Sequence, residues 1–176
     1  MIEYKDITSD QLNEHLFDHF LRYQQVNQVW RKVDGTWVIK EEPFIDDWSK
    51  EDYAFLVQCL HNTLQTGGLV YGVFNNDELK GFASVEGKVF DEIHKYCDLS
   101  SLHVSSDMRG NGIGKQLFNY AKVWAKNHGA KKLYISGHSA VETQAFYRAM
   151  GCVEASVYNQ DHVQMEPFDC QLECVL

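Results

Sequence analysis

The chain is short of proline and of positive charge and has no long apolar run, and each shortage removes a class of protein. Only Pro43 and Pro167 occur in 176 residues, with no low-complexity tract, so the composition is that of a globular chain, neither collagen-like nor disordered. No apolar stretch approaches the roughly 20 residues needed to span a bilayer. Met1-Ile-Glu-Tyr-Lys-Asp lacks the basic start and apolar core of a leader, so a cytoplasmic protein without a membrane partner is expected. Sixteen Lys and Arg stand against 25 Asp and Glu, a formal charge of −9, which argues against nucleic acid as a partner because it would want a basic face. Cys59, Cys97, Cys152, Cys170 and Cys174 are odd in number and have no C-x-x-C spacing, so free, mostly buried thiols are expected in place of a disulfide framework or a metal site.

What is present suffices for one domain over residues 1–176. Ile2 to Ile7 alternates as a strand, and Thr8-Ser-Asp-Gln11 reads as a capping box opening a helix with Leu12, Leu16, Phe20 and Tyr23 on its buried stripe. His15 and His19, four apart, could share a metal on such a helix, but there is no H-E-x-x-H and no third ligand, and two flank histidines are the simpler account. Asp34-Gly35 between Val29–Val33 and Thr36–Lys40 marks a hairpin. Glu41, Glu42, Asp46 and Asp47, interleaved with Phe44 and Trp48, form an acidic and aromatic stretch that is either solvated or suited to a cationic amine. Ser49-Lys-Glu-Asp52 caps a second helix, which Gly67-Gly68 ends.

Leu69–Phe74 and Leu79–Val85 read as strands around Asn75–Glu78, with Glu86-Gly87 and Val89-Phe90 as an extension. A central strand begins at Tyr96. Lys132–Ser136 reads as a strand and Glu142 to Gly151 as a short helix; Val153–Tyr158 and Cys170–Val175 read as strands, with Asn159–His162 as a loop.

Leu99 to Asn127 organises the rest. Leu102 and Val104 carry a strand, Asp107 to Gly112 a turn, and Leu117, Tyr120, Ala121, Trp124 and Ala125 recur at helical spacing. Gly110, Gly112 and Gly114 permit positive φ and close approach at a helix N-terminus, which attracts anions, and Arg109 and Lys115 add charge. A P-loop, G-x-x-x-x-G-K-[ST], fails twice, at Arg109 and Gln116, and a dinucleotide G-x-G-x-x-G fails at Lys115.

What remains is Arg109-x-x-Gly112-x-Gly114, followed downstream by Phe146-Tyr147-x-x-x-Gly151. In order and spacing these resemble the two signatures of the GNAT superfamily of N-acetyltransferases over Leu99 to Cys152. The resemblance implies an α/β fold with a mixed, largely antiparallel sheet of about six or seven strands flanked by helices. It implies acetyl-CoA as cosubstrate, with no metal. The pyrophosphate is expected at Arg109, Gly110, Asn111, Gly112, Ile113, Gly114 and Lys115, and the pantetheine arm along Leu102, His103 and Val104. Tyr147 matches the tyrosine that protonates the departing thiolate. Asp98 lies six residues before Val104, where histone-acetylating members carry a basic glutamate, and is the candidate base; a solvated strand-start aspartate is the other reading. Ser100, two residues on, would share its face and hold a water relay. Ala140 departs from the Asn common seven residues before the tyrosine, which bears on one contact to the pantetheine arm.

The implied activity is acetyl transfer to a primary amine of a small molecule, possibly cationic, or of a protein, by direct attack in a ternary complex. A non-catalytic acyl-CoA-binding sensor is the alternative, against which the acid at Tyr147 speaks. A homodimer is compatible with the chain, whose oligomeric state the residues leave open.

Overall fold

The computed structural model describes residues 1–176. Its strands are β1 (Ile2–Asp6), β2 (Tyr23–Val33), β3 (Thr36–Asp47), β4 (Leu69–Asn75), β5 (Glu78–Val85), β6 (Tyr96–Val104), β7 (Lys132–Gly137), β8 (Val153–Glu154) and β9 (Cys170–Val175). Its helices are α1 (Lys50–Gln65), α2 (Ile113–Asn127), α3 (Val141–Ala149) and α4 (Gln160–Met165). Seven strands form one sheet in the order β1-β4-β5-β6-β7-β9-β8, and β2 and β3 form a separate two-stranded ribbon. This is the expected α/β architecture, a mostly antiparallel sheet in which only β6 and β7 run parallel.

The two faces of the sheet bury different elements. On one, Ile113, Leu117, Phe118, Ala121 and Ala125 of α2 pack on Val73, Ala83, Val85, Cys97 and Leu99. On the other, Val57 and Leu60 of α1 join Ile7, Leu12, Phe17 and Phe20 over Val70, Phe74, Leu79 and Phe82. The α1 cap is as expected: the Asp52 N–H donates to Ser49 Oγ at 3.2 Å and the Ser49 N–H to Asp52 Oδ2 at 2.8 Å.

The first expected helix does not form. The Thr8 N–H does donate to Gln11 Oε1 at 3.0 Å, but the chain makes only two 3-10 turns, Ser9–Gln11 and Glu14–Phe17. Asn13 re-caps the second turn through the His15 N–H at 3.0 Å. The buried residues are Leu12, Phe17 and Phe20, a spacing chosen by the sheet surface beneath them, and Tyr23 begins β2 instead of ending a stripe. The hairpin is longer than its turn signal suggests, so Glu41 to Asp47 lies within β3. Glu86 to Phe90 does not extend β5, and Phe90 makes only an isolated bridge to Tyr96. Val153–Tyr158 is reduced to β8, and Asn159, expected in a loop, caps α4 by accepting from the Asp161 N–H at 3.0 Å.

The ribbon docks on the main body through β2. Val29 bridges Ala140, the Trp30 N–H donates to the Ser139 carbonyl at 2.8 Å, and Val26, Val29 and Ala140 make a small buried cluster. Ala140 therefore packs under the ribbon at the start of α3.

Candidate active site

The parallel pair β6 and β7 is joined only from Tyr96 to Asp98, opposite Lys132 to Tyr134. Beyond that the strands separate. A bulge contributes to the change in β6: Ser84 faces Ser101 but Val85 faces Leu99, so Ser100 is the extra residue. The β6 edge facing β7 is thus left without a strand partner from Leu99 onward, and its backbone N–H and C=O groups must be met by something else. A cavity of about 700 Å³ occupies the gap, lined by Leu99–Val104 from β6, Ser136–His138 from β7, the loop into α2, and Tyr147 of α3. It sits at the carboxyl ends of the two parallel strands, where both chains turn into helices, the place where α/β sheets open a crevice.

The loop is built by its glycines. Gly110 and Gly112 take φ of +82° and +76°, and Gly112 is the N-cap of α2 with no side chain to close it. The first helical bond returns from the Gln116 N–H to the Gly112 carbonyl at 3.2 Å, which leaves the N–H groups of Ile113, Gly114 and Lys115 unused at the positive end of the helix. Arg109, Gly110, Gly112, Ile113, Gly114 and Lys115 all line the cavity. Asn111 does not; its side chain ties the loop instead, donating to the Met108 carbonyl at 3.0 Å.

Tyr147 is 7% exposed and lines the cavity from α3. It can lie there because Gly137 ends β7: a Cβ at that position would meet the Tyr147 ring at 3.2 Å. Burial, then the nearby Cys152 and Asp169, raises the phenol above its ordinary range, so it keeps its proton throughout the neutral range.

The β6 side chains divide by face. Leu102 and Val104 pack toward the α2 core, while His103 turns to the opposite face, 5.4 Å from the Phe82 ring and 4.7 Å from Trp48. Burial first, then the charges of Arg22 and Arg109, pushes the His103 imidazole down to about 3, so it stands neutral in the wall.

Asp98 is not where a base for this cavity is needed. It lies outside the lining, and its Oδ2 is 2.6 Å from His162 Nε2 on α4. Asp98 and Ser100 both project from the face of β6 turned away from α2, but Asp98 is drawn to His162 on α4, while the Ser100 hydroxyl lies 2.7 Å from that of Ser84. Ser100 does reach the cavity, and its hydroxyl donates to Glu86 Oε1 at 2.8 Å. Glu86 Oε1 also accepts from Thr63 Oγ1 at 2.7 Å, so the carboxylate is fixed behind the serine.

The acidic stretch is likewise spoken for. Asp46 pairs with Arg22 at 2.8 Å and Glu42 with Arg31 at 2.7 Å, and none of Glu41, Glu42, Asp46 or Asp47 lines the cavity. The expected attraction of a cationic acceptor by this stretch is not supported by its position, since pairing in β3 uses half its charge. His15 meets Asp18 at 3.2 Å and His19 meets Glu78 at 3.6 Å, and no group of three or more His, Cys, Asp or Glu is arranged to hold a metal. No helix is long and apolar enough to cross a membrane.

Sequence reasoning missed much of the lining outside the loop. Arg22, Gln24 and Gln25 at the start of β2, and Ser136 and His138 at the end of β7, all line the cavity. None carries a local motif; they meet only because the ribbon folds back over the β6–β7 gap.

A sheet edge open to a chain of amides, ending at a helix N-terminus open to phosphates, is what a coenzyme A-dependent acyltransferase requires. The sequence profile of the Acetyltransferase (GNAT) family matches residues 30–152, and the chain belongs to this family. It is an acetyl-transfer enzyme with acetyl-CoA as cosubstrate. Among solved structures it is similar to a nourseothricin acetyltransferase, with 13% identity, coverage of 99% of this chain and 98% of that one, and a TM-score of 0.70. It is also similar to a putative streptothricin acetyltransferase from Bacillus anthracis str. Ames in complex with acetyl coenzyme A, with 14% identity, 98% and 96% coverage and a TM-score of 0.69. The PaiA N-acetyltransferase from Thermoplasma acidophilum, in complex with coenzyme A, matches at 16% identity with 100% and 99% coverage and a TM-score of 0.62. Likeness at these identities shows the fold. No curated protein sequence matches the chain significantly.

Proposed function

We propose that the chain, as a single domain over residues 1–176, moves the acetyl group of acetyl-CoA to a primary amine that attacks directly within a ternary complex. The observation that carries this reading is one cavity bounded by an unfilled helix N-terminus, an unpaired strand edge and a buried, protonated phenol. The thioester supplies the activated acyl group. The free N–H groups of Ile113 to Lys115, with Arg109 and Lys115, complement a pyrophosphate, and the β6 edge from Leu99 to Val104 complements the amides of a pantetheine arm.

Tyr147 is the proton donor to the departing thiolate. A thiol of pKa about 8.5 needs only modest help, and a phenol held above its ordinary pKa of about 10 always has the proton to give. The attacking amine must lose a proton on the other side. Glu86 receives it through Ser100, whose hydroxyl faces the cavity and bonds the carboxylate at 2.8 Å. Asp98 acts as the partner that orients His162 and α4, away from the chemistry.

Incubation with acetyl-CoA and a panel of primary amines, read by thiol release, tests the reading. Amine-dependent release is expected. Tight coenzyme binding with no release for any amine would favour the acyl-CoA-binding module instead.

A further inference from the structure

Two cysteines meet where the chain leaves α3 and enters β8. In the antiparallel ladder of β8 and β9, Val153 faces Glu173 and Glu154 faces Leu172, and the same register carried one step back sets Cys152 opposite Cys174. The Ala155 N–H donates to the Gln171 carbonyl at 2.9 Å, so the hydrogen-bonded places are Ala155/Gln171 and Val153/Glu173, and Cys152/Cys174 is a non-hydrogen-bonded place. Residues paired in that way have Cα atoms about 4.5 Å apart and side chains on one face, within the span of about 4.4–6.8 Å that a disulfide bridges. Both side chains lie in the core under α2, 5% and 3% exposed.

The chemistry of this pair sets it apart from the other thiols. Cys174 is held below the ordinary thiol range, first by the Cys152 thiol, against burial, and then by the Lys122 ammonium of α2, while Cys152 is pushed up by the same partnership. Cys59, Cys97 and Cys170 are all raised, chiefly by burial. The pair thus keeps a thiolate beside a thiol. A cavity of about 150 Å³ under the ribbon, with Trp30, Trp37, Arg148 and Cys152 in its lining, gives a molecule of the size of hydrogen peroxide room next to it.

We propose that Cys152 and Cys174 form a reversible disulfide when the protein meets a peroxide, and that this bond displaces Tyr147; the consequence for acetyl transfer rests on the role proposed above for Tyr147. The thiolate attacks one peroxide oxygen, the O–O bond breaks, hydroxide leaves and a sulfenic acid forms. The remaining thiol then attacks that sulfur, the S–O bond breaks, the oxygen departs as water with the thiol proton, and the S–S bond forms. Two electrons have passed from the sulfurs to the peroxide. Drawing the sulfurs together moves the less firmly held side. β9 is paired with β7 from Lys132 to Val175, whereas β8 is a two-residue strand at the edge of the sheet. The Cys152 N–H donates to the Tyr147 carbonyl at 2.9 Å, so the pull is delivered to the last turn of α3.

The full chain is treated with hydrogen peroxide, which is then removed, and afterwards with dithiothreitol. Its mass should fall by two hydrogens and return. Cleavage at Glu154 and Glu173 puts Cys152, Cys170 and Cys174 on separate peptides, and Cys152 should be found linked to Cys174. In protein carrying ring-13C tyrosine, the Tyr147 resonance, identified by its absence from Tyr147→Phe, should shift on oxidation and return on reduction. For an amine that is acetylated, kcat should fall at least about tenfold over the same cycle, since misplacing a reacting group by about 1 Å can cost about 100-fold. Cys174→Ala should show neither the bond nor the shift. Absence of a disulfide, or one that joins either residue to another cysteine, overturns the site. A Cys152–Cys174 bond with an unmoved Tyr147 resonance overturns the coupling to the active site. A moved resonance with unchanged kcat would remove Tyr147 from the chemistry and leave the dithiol standing. Should Cys174→Ala fail to fold, the peptide map and the resonance in the unaltered protein decide.

Discussion

The two walls of the cavity are made in different ways. The wall proposed to face the coenzyme is backbone: glycines at positive φ, an uncapped helix start and a strand edge without a partner, all within Leu99 to Lys115. The rest of the lining is side chains, Arg22, Gln24, Gln25 and His103 among them, drawn from the start of the ribbon and the far face of the sheet. A backbone site tolerates change in most side chains and fails when the backbone itself is altered. A side-chain site responds to single substitutions and can be retuned without disturbing the loop.

The largest expected effect tests the junction of the two walls. Tyr147→Phe keeps the ring against Gly137 and removes the proton, and kcat should fall by about 10²-fold in steady-state kinetics while coenzyme A affinity stays unchanged. Full retention of kcat would reduce Tyr147 to a packing residue. Next comes the backbone wall. Nothing lies within 4 Å of a Cβ built at Gly112, so Gly112→Val acts through its φ of +76° and not through a clash. Strain of that kind costs on the order of 1–3 kcal/mol and should weaken coenzyme A about tenfold or more by calorimetry. The acceptor KM should be little changed, and an equal loss for both substrates would dissolve the distinction between the walls.

A comparison of two carboxylates sharpens the assignment of the proton path. Glu86→Gln should lower kcat by about tenfold near neutral pH, with partial recovery as pH rises and bulk base takes over the amine proton. Asp98→Asn should leave kcat and its pH profile in place; a shifted profile in Asp98→Asn with none in Glu86→Gln would exchange their roles.

The smallest effect expected of Asp98→Asn is on stability. The hydrogen bond that His162 donates to Asp98, opposed by burial, raises the imidazole above its ordinary 6.5. A raised folded pKa means that the imidazolium and Asp98 stabilise the fold fully below pH 6.5, and that this contribution is lost as pH climbs through the higher folded value. The urea midpoints of the unaltered protein and Asp98→Asn should therefore differ most at acid pH and converge above it.

Much of the sheet was legible in the chain because its signals are local. Asp34-Gly35, Asn75–Glu78, the Ser49/Asp52 cap and the Gly67-Gly68 stop each act within a few residues, and each stands where it was read. The failures share one cause. The segment from Thr8 to Tyr23 had a sound cap and an apolar stripe, yet packing against Val70, Phe74 and Phe82 chose Leu12, Phe17 and Phe20 and broke the helix into turns. Short α4 carried too little periodicity to be seen beside its Asn159 cap.

The same division runs through the site. The sequence by itself determined the glycine loop and the tyrosine, because a positive φ and a helix start are properties of consecutive residues and need only the right spacing. Only the tertiary structure decided the rest. The extra residue at Ser100 became visible when β5 was set against β6, and with it the hydrogen bond from Ser100 to Glu86. Arg22 entered the cavity because the ribbon folds over β6 and β7, and its two unpaired donors exist only as a consequence of burial among residues from Asp46 to Arg109. A side chain's desolvation and its partners are set by what surrounds it in space, and no spacing along the chain encodes them.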